Sequence, residues 1–183
     1  FYPGGMYREN VPTIESVLGY APGERLPRYA DLVRYLTALE QRSDRALLRT
    51  YGTTYEGRAQ YYLIISDPAN LGRLEETKSQ IAKLADPRCL GNADEAAEII
   101  AETPAITWIG ANVHGGEHST MEAAMCIAYQ LAAGEDETTR HILKQTVVII
   151  DPLQNPDGRE RSVNYFYSAF GLRLNPDPNA AEH

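Results

Sequence analysis

The sequence AITWIGA at 105–111 runs into VHGGEH at 113–118, and these two segments decide the fold. β-branched and aromatic residues in the first segment predict a strand, and the apolar helical pattern behind the second predicts a helix. His114 and Glu117 then lie three residues apart at the carboxyl end of a strand. Imidazole nitrogen and carboxylate oxygen both bind zinc well, so the pattern predicts two ligands of a zinc site. A catalytic zinc site needs three protein ligands, and the third is not evident here.

Two other interpretations of the motif stay open. Gly115 and Gly116 disfavour a regular helix and allow a tight turn, so that His114 and Glu117 converge on one point. In the first alternative, His114 only caps or hydrogen-bonds a polar loop. In the second, the pattern His-x-x-Glu-His makes His114 and His118 the ligands and Glu117 the base, as in inverted zincins. That arrangement needs a helix through both histidines, which the glycine pair disfavours, so we interpret His118 as a first-turn residue or as one that supports the ligands without binding the metal.

The composition is that of an ordinary globular protein and excludes several partners. The chain has 183 residues, 43% hydrophobic and 23% charged, which fits a single domain with a proper core. A net charge of −8 and a pI near 5.0 argue against nucleic acid or an anionic membrane surface. No apolar run approaches the roughly 18–20 residues of a membrane span. Cys89 and Cys126 make neither a disulfide framework nor a metal pair, and Cys126 is expected to be buried and inert.

The rest of the pattern alternates strands with helices. A helix begins at Pro27 and ends near Ser43, and the strands 46–51 and 59–66 form a hairpin. The further elements that we predict are a helix capped by Asn70 and stopped by Pro87, a helix capped by Asn92 and stopped near Pro104, the strand 105–111, a helix ending at Gly134, a polar helix over 137–144, a buried strand over 146–150, and a loop-like tail.

These elements predict an α/β fold with a mostly parallel mixed sheet flanked by helices and an antiparallel hairpin at its start. Residues 1–26, rich in Pro, Gly and Tyr, are expected to be an extended lead-in to the domain at 27–183. In such sheets, ligands bind at the carboxyl ends of strands. The motif at 114–117 and the segment at 155–158 both lie there, so we expect the functional site at this edge.

Three segments carry a family resemblance. They read YGTTYEGR at 51–58, VHGGEH at 113–118 and DPLQNPDG at 151–158. In this order and spacing they resemble the Gly-x-Ser-x-Glu-Gly-Arg hairpin, the ligand motif and the Pro-x-x-Asn-Pro-Asp-Gly segment of the zinc metallocarboxypeptidase family, the carboxypeptidase A-like peptidases. The helix ahead of the hairpin matches as well. The resemblance covers roughly residues 27–160 and is far more specific than any one motif.

The resemblance implies a zinc-dependent enzyme that hydrolyses the carboxyl-terminal bond of a peptide or protein substrate with a metal-activated water. His114 and Glu117 would be its first two zinc ligands. The Asn155–Gly158 loop would form a wall near the site. Asp157 in that loop and Arg58 at the hairpin would have scaffold roles, with Arg58 pinning the hairpin.

The chain also departs from the family pattern. Many members have an Arg where this chain has Gly116, so the substrate contacts of that Arg are not expected. The third ligand in the family is a downstream His after an Asn-Arg pair, the general-base Glu comes later still, and no Asn-Arg dipeptide occurs here. His183, at the last position, is a poor ligand, and His141 in a polar helix is expected to be solvated. The candidates for an arginine that stabilises the transition state are Arg159, Arg161 and Arg173.

We therefore expect the amino-terminal part of a longer peptidase, with an incomplete carboxypeptidase-like fold. The chain alone is expected to bind zinc weakly and to hydrolyse nothing at enzyme-like rates. Two other functions stay open: a zinc amidohydrolase of small N-acyl amino acids, and a non-catalytic truncated module. An unpaired sheet edge would be exposed, which predicts self-association. The resemblance favours a secreted or periplasmic location, with the cytoplasm as the alternative.

Overall fold

A computed structural model describes residues 5–169, in which one four-stranded mixed sheet carries the helices. Its strands are β1 (Ala46–Thr53), β2 (Ala59–Ile65), β3 (Ala105–Gly110) and β4 (Thr146–Asp151), in the spatial order β1-β2-β4-β3. The hairpin β1-β2 is antiparallel, β2 pairs antiparallel with β4, and β3 pairs parallel with β4. The mixed sheet that starts with a hairpin is as predicted. The parallel share is smaller than predicted, because the hairpin joins β4 in the antiparallel sense.

Eight helices are found in the described residues, together with a short 3₁₀ turn at Pro87–Cys89. They are α1 (Ile14–Leu18), α2 (Tyr29–Arg42), α3 (Pro68–Gly72), α4 (Leu74–Ala85), α5 (Ala93–Glu102), α6 (His118–Ala133), α7 (Glu137–Gln145) and α8 (Pro156–Ala169). No helix within residues 5–169 combines the length and apolar character needed to cross a membrane.

The core lies where α1, α2 and α6 pack against the sheet. Helix α2 buries Leu32, Tyr35, Leu36 and Leu39, the stripe expected of an amphipathic helix. Each of these buried leucines stabilises the fold by roughly 1.5–3 kcal/mol relative to exposure. Helix α6 is buried around most of its circumference, as its run of Met, Ala and Leu predicts. Because α6 is fixed in this core, its first residues are held rigidly at the carboxyl end of β3.

Two helix predictions need correction. Asn70 does not cap a helix; Asp67 caps α3 by accepting from the backbone N–H of Ala69, and Pro68 occupies the first turn. Asn70 lies inside α3 and is buried. The tail after β4 is not a loop over its described part, because α8 starts at Pro156 and continues to Ala169. The side chain of Asn155 caps α8 by accepting from the N–H of Gly158 at 2.9 Å.

The lead-in is only partly extended. Within its described part, α1 forms behind a cap by Thr13, and Val11, Ile14 and Leu18 are buried in the core. The segment therefore packs as part of the main fold, because its apolar residues return at helical spacing after the Pro- and Gly-rich start.

Candidate metal centre

The structure brings the two predicted metal ligands together. Strand β3 ends at Gly110, a loop follows over 111–117, and α6 begins at His118. The Nδ1 atom of His114 lies 3.1 Å from Oε1 of Glu117, and the two side chains are 77% and 50% exposed. Both donor groups therefore converge at the carboxyl end of β3 and face solvent, where a substrate can approach.

This donor pair fits two of the three positions of a catalytic zinc site. An imidazole nitrogen and a carboxylate oxygen are both ordinary zinc donors, and their convergence needs no rearrangement of the backbone. Within residues 5–169, no group of three or more His, Cys, Asp or Glu side chains is placed to hold a metal ion. The pair therefore supplies two ligands of an incomplete site.

The inverted zincin arrangement is excluded by the local backbone. His114 lies in the loop, and the helix starts only at His118, so the two histidines do not share a helical face. The Nε2 atom of His118 lies 2.7 Å from Oγ of Ser162 in α8, and its ring packs edge-on against Phe166. His118 is a first-turn residue, as predicted, and its contacts with Ser162 and Phe166 tie α6 to α8.

The two motif segments are joined by backbone hydrogen bonds beyond the ends of their strands. The N–H of Ala111 donates to the carbonyl of Asp151 at 2.8 Å, and Gln154 donates to the carbonyl of Ala111 at 3.1 Å. Asn155 continues the series, with its backbone N–H donating to Asn112 at 3.2 Å and its side chain donating to the carbonyl of Val113 at 3.2 Å. The ligand-bearing loop thus lies directly against the start of α8.

Gly115 is the point of closest approach between the loop and α8. A Cβ placed on Gly115 would lie 2.0 Å from the carbonyl carbon of Gly158 and 2.2 Å from the backbone nitrogen of Arg159. Neither Gly115 nor Gly116 has a positive φ, so the turn itself does not require glycine. Gly115 is required by the neighbouring helix backbone. Gly116 has room, since the nearest neighbour of its Cβ would be Ser162 Oγ at 3.8 Å.

Arg159 is a structural residue and not a transition-state arginine. Its side chain is completely buried, and its guanidinium donates to the carbonyls of Pro27 and His118. Burial lowers its pKa from the usual range, although Glu122 and Glu160 oppose this effect. Arg159 therefore fixes α8 to the starts of α2 and α6, and its complete burial keeps its guanidinium away from a substrate.

Of the other two arginine candidates, Arg161 lies on the surface and Arg173 lies outside the described residues. Arg161 is 71% exposed and pairs with the carboxylate of Glu56. His183 also lies outside the described residues. His141 is exposed on α7, as predicted for a solvated residue.

The hairpin tip docks on the first turn of α8 through Asp157. This carboxylate accepts from Thr54 Oγ1 at 2.8 Å, from the backbone N–H of Glu56 at 3.0 Å and from Arg58 at 2.6 Å. Desolvation acts to raise the pKa of Asp157, but the hydrogen bonds from Thr54 and Arg58 outweigh it and lower the pKa. Arg58 also pairs with Glu56 at 2.6 Å and lowers the pKa of that carboxyl group. These contacts are the scaffold role expected for Arg58 and Asp157.

Sequence reasoning did not single out two buried polar residues beside the loop. Asp151, at the end of β4, is 2% exposed and accepts from the hydroxyl of Tyr51 at 2.7 Å. Burial raises the pKa of Asp151, and the hydrogen bond from Tyr51 only partly opposes it. Asn112 is also 2% exposed and has a φ of 54°. Its position one residue after the predicted strand, in a residue type that tolerates the left-handed conformation, was the available sequence signal.

A family model for zinc carboxypeptidases, peptidase family M14, matches residues 32–176. The chain belongs to the zinc carboxypeptidase family. This match spans the hairpin, the His114–Glu117 loop and the start of α8, the three segments on which the resemblance was based.

Solved structures share the fold of this zinc carboxypeptidase chain. Carboxypeptidase A from Helicoverpa armigera is 18% identical with a TM-score of 0.52, over 81% of this chain and 32% of that one. A metallo-carboxypeptidase from Burkholderia cenocepacia is 20% identical with a TM-score of 0.50, over 72% of this chain and 27% of that one. The chain thus spans about a third or less of these structures. Among curated proteins, none matches.

Proposed function

We propose that this chain is the amino-terminal portion, over 27–183, of the catalytic domain of a zinc metallocarboxypeptidase. The observation that carries the proposal is the 3.1 Å approach of His114 Nδ1 to Glu117 Oε1 at the carboxyl end of β3, in a chain that belongs to the family. His114 and Glu117 are proposed as two of the three zinc ligands. The substrate is a peptide or protein, cleaved at its carboxyl-terminal bond.

Bound zinc supplies a Lewis acid that lowers the pKa of a coordinated water to about 7 and polarises the scissile carbonyl. The chain's own residues hold and orient the ion. His114 and Glu117 provide one nitrogen and one oxygen donor on the open side of the loop, where the exposed face leaves room for the substrate carbonyl. The contact of Gly115 with α8 fixes the loop against the core, so the two donors keep their separation during a reaction.

Among the described residues, no third side chain joins His114 and Glu117 as a metal ligand, and Arg159 is completely buried and bonded to the carbonyls of Pro27 and His118. We therefore propose that the 183-residue chain alone binds zinc weakly and hydrolyses peptides at no enzyme-like rate. Robust turnover by the purified chain would refute this part of the proposal.

The function is tested on the protein extended to a complete catalytic domain. Mass spectrometry of a peptide substrate should show stepwise loss of carboxyl-terminal residues, abolished by a zinc chelator and by His114→Ala. Arg88→Ala serves as the control, because Arg88 is 88% exposed and pairs with Asp86 in the 3₁₀ turn, outside the three motif segments. Hydrolysis of N-acyl amino acids with intact peptides would instead favour the amidohydrolase, and no hydrolysis of either substrate would favour a non-catalytic module.

Two further proposals concern the environment of the protein. Strand β3 is an edge strand in the described sheet, and Ile106 and Trp108 on it are 43% and 53% exposed, so we propose self-association through this edge. A secreted or periplasmic location is proposed from the family resemblance. Fractionation of expressing cells tests it, and recovery of the full-length protein solely in the cytoplasm would overturn it.

A further inference from the structure

The loop that carries the proposed ligands is held by the side-chain amide of one buried residue. Nδ2 of Asn112 donates to the carbonyl of His114 at 3.0 Å and to the carbonyl of Glu117 at 2.9 Å. It also lies 3.1 Å from Oγ1 of Thr120, whose hydroxyl donates to the same Glu117 carbonyl at 2.9 Å. A single NH₂ group therefore contacts the backbone of both proposed ligands.

The orientation of this amide follows from its partners. Two of them are carbonyl oxygens, and the third is a hydroxyl whose proton is already directed at a carbonyl. Only the NH₂ end of Asn112 satisfies such a set, because the oxygen end would face acceptors. The Oδ1 atom is buried and has no hydrogen-bond partner in the described part of the chain. The side chain thus donates to the loop carbonyls, while its own oxygen accepts no hydrogen bond from the described residues.

The backbone of Asn112 is fixed as well. Its φ of 54° lies in the left-handed region, which asparagine tolerates better than most residues. Its carbonyl accepts from the N–H of Asn155 at 3.2 Å, so the start of α8 holds the residue from the other side. The end of β3 and the start of α8 therefore fix the position of the Asn112 side chain. That side chain in turn holds the backbone of the loop at His114 and Glu117.

We propose that Asn112 is a positioning residue for the metal centre: it holds the His114 and Glu117 backbones at the spacing at which their side chains share one ion. The inference rests on the proposed function for its metal, but the loop geometry that it explains is present in the chain itself. Partners that orient metal ligands typically change metal affinity by about 10- to 100-fold when they are removed.

Two variants separate the side chain from the backbone. Asn112→Asp keeps the shape but places a carboxylate against two carbonyls, and Asn112→Gly keeps the positive φ without the amide. Asn70→Asp is the matched control, because Asn70 is 5% exposed and its Nδ2 also contacts three acceptors. They are Oγ of Ser66, which directly follows β2, and the carbonyls of Leu143 and Lys144 in α7.

The first readout needs no metal. Backbone ¹⁵N relaxation of the amides at 114–117 should show rigid order parameters near 0.85 in the wild type and in Asn70→Asp, and values below about 0.6 in both Asn112 variants. Unchanged order parameters in the Asn112 variants would overturn the positioning role. Equal loosening in Asn70→Asp would also overturn it, since the effect would then be general destabilisation.

The second readout is zinc titration followed by NMR shifts of the His114 ring. Both Asn112 variants should bind at least about 10-fold more weakly than the wild type, with Asn70→Asp unchanged. Unchanged affinity in the Asn112 variants would refute the inference. If the proposed ligand assignment is wrong, zinc binding will instead survive His114→Ala. In that case the relaxation data alone decide the role of Asn112.

Discussion

Replacing Gly115 with alanine should separate the ligand loop from α8. The added Cβ would lie 2.0 Å from the carbonyl carbon of Gly158, whereas carbon atoms in contact are about 3.5 Å apart, so a gap of roughly 1.5 Å must open. The obstacle is helix backbone and cannot rotate away. Overpacking of this kind costs about 1–3 kcal/mol, and loss of the Asn155 hydrogen bond to Val113 adds about 1 kcal/mol.

We therefore expect Gly115→Ala to lower the free energy of unfolding by about 3 kcal/mol, which for a chain of this size lowers Tm by roughly 6–12 °C. The neighbouring Gly116→Ala is the control, because its Cβ meets only Ser162 Oγ at 3.8 Å, and its effect should stay within about 0.5 kcal/mol. Thermal unfolding followed by circular dichroism measures both. Equal effects of the two substitutions, or a Gly115→Ala protein as stable as the wild type, would refute the packing of the loop on α8.

Three further predictions follow from the same contacts. Arg159→Met removes both Arg159 hydrogen bonds to the Pro27 carbonyl and one to the His118 carbonyl, which we expect to cost about 1–3 kcal/mol, whereas Arg161→Met should cost less than about 1 kcal/mol. Urea unfolding that ranks the two variants equally would contradict the buried role of Arg159. The pKa of Asp157 in the folded protein is below its ordinary value of 3.8, so its ionised form stabilises the fold above about pH 4, and this contribution is lost as the pH falls through the folded-state pKa. In Asp157→Asn, the urea midpoint should therefore depend less on pH in this range. An unchanged pH dependence would contradict the docking of the hairpin on Asp157. Ile106→Lys on β3 should reduce self-association in light scattering, and the edge proposal fails if the wild type is a clean monomer at high concentration.

The sheet and most helices were predictable because their residue patterns are local. The strand at 105–111 is indicated by β-branched residues and the helix that ends at Gly134 by helical apolar spacing, and both patterns lie within the segments themselves. The hairpin likewise follows from two strand-like runs around a turn. These predictions are confirmed within one or two residues at each end.

Helix α8 was missed because Asn-Pro-Asp-Gly reads as a turn. The same residues also begin a helix well: Asn155 caps, Pro156 takes the first position and Asp157 lies in the first turn. The polar residues that follow hide the buried stripe, which includes Val163. Both interpretations satisfy local chemistry, and the choice depends on packing against Pro27 and His118, which the sequence does not display.

The candidate site divides in the same way. The approach of His114 to Glu117 was predictable from their spacing across two glycines. The burial of Arg159 and the requirement for Gly115 were not. Gly115 meets the backbone of Gly158, about 40 residues further along the chain, and Arg159 bonds to carbonyls 41 and 132 residues before it. Long-range contacts of this kind have no local pattern, so an arginine in α8 looks the same whether it is buried or solvated.

The central claim is that His114 and Glu117 are two ligands of a zinc site whose third ligand is not among residues 5–169. Zinc titration by calorimetry and NMR, on this chain and on His114→Ala and Glu117→Gln, tests it most directly. We predict binding weaker than micromolar in the wild type that is lost in both variants. Micromolar or tighter binding that is lost in His114→Ala would show a complete site within the chain, and binding that is unaffected by either substitution would contradict the ligand assignment.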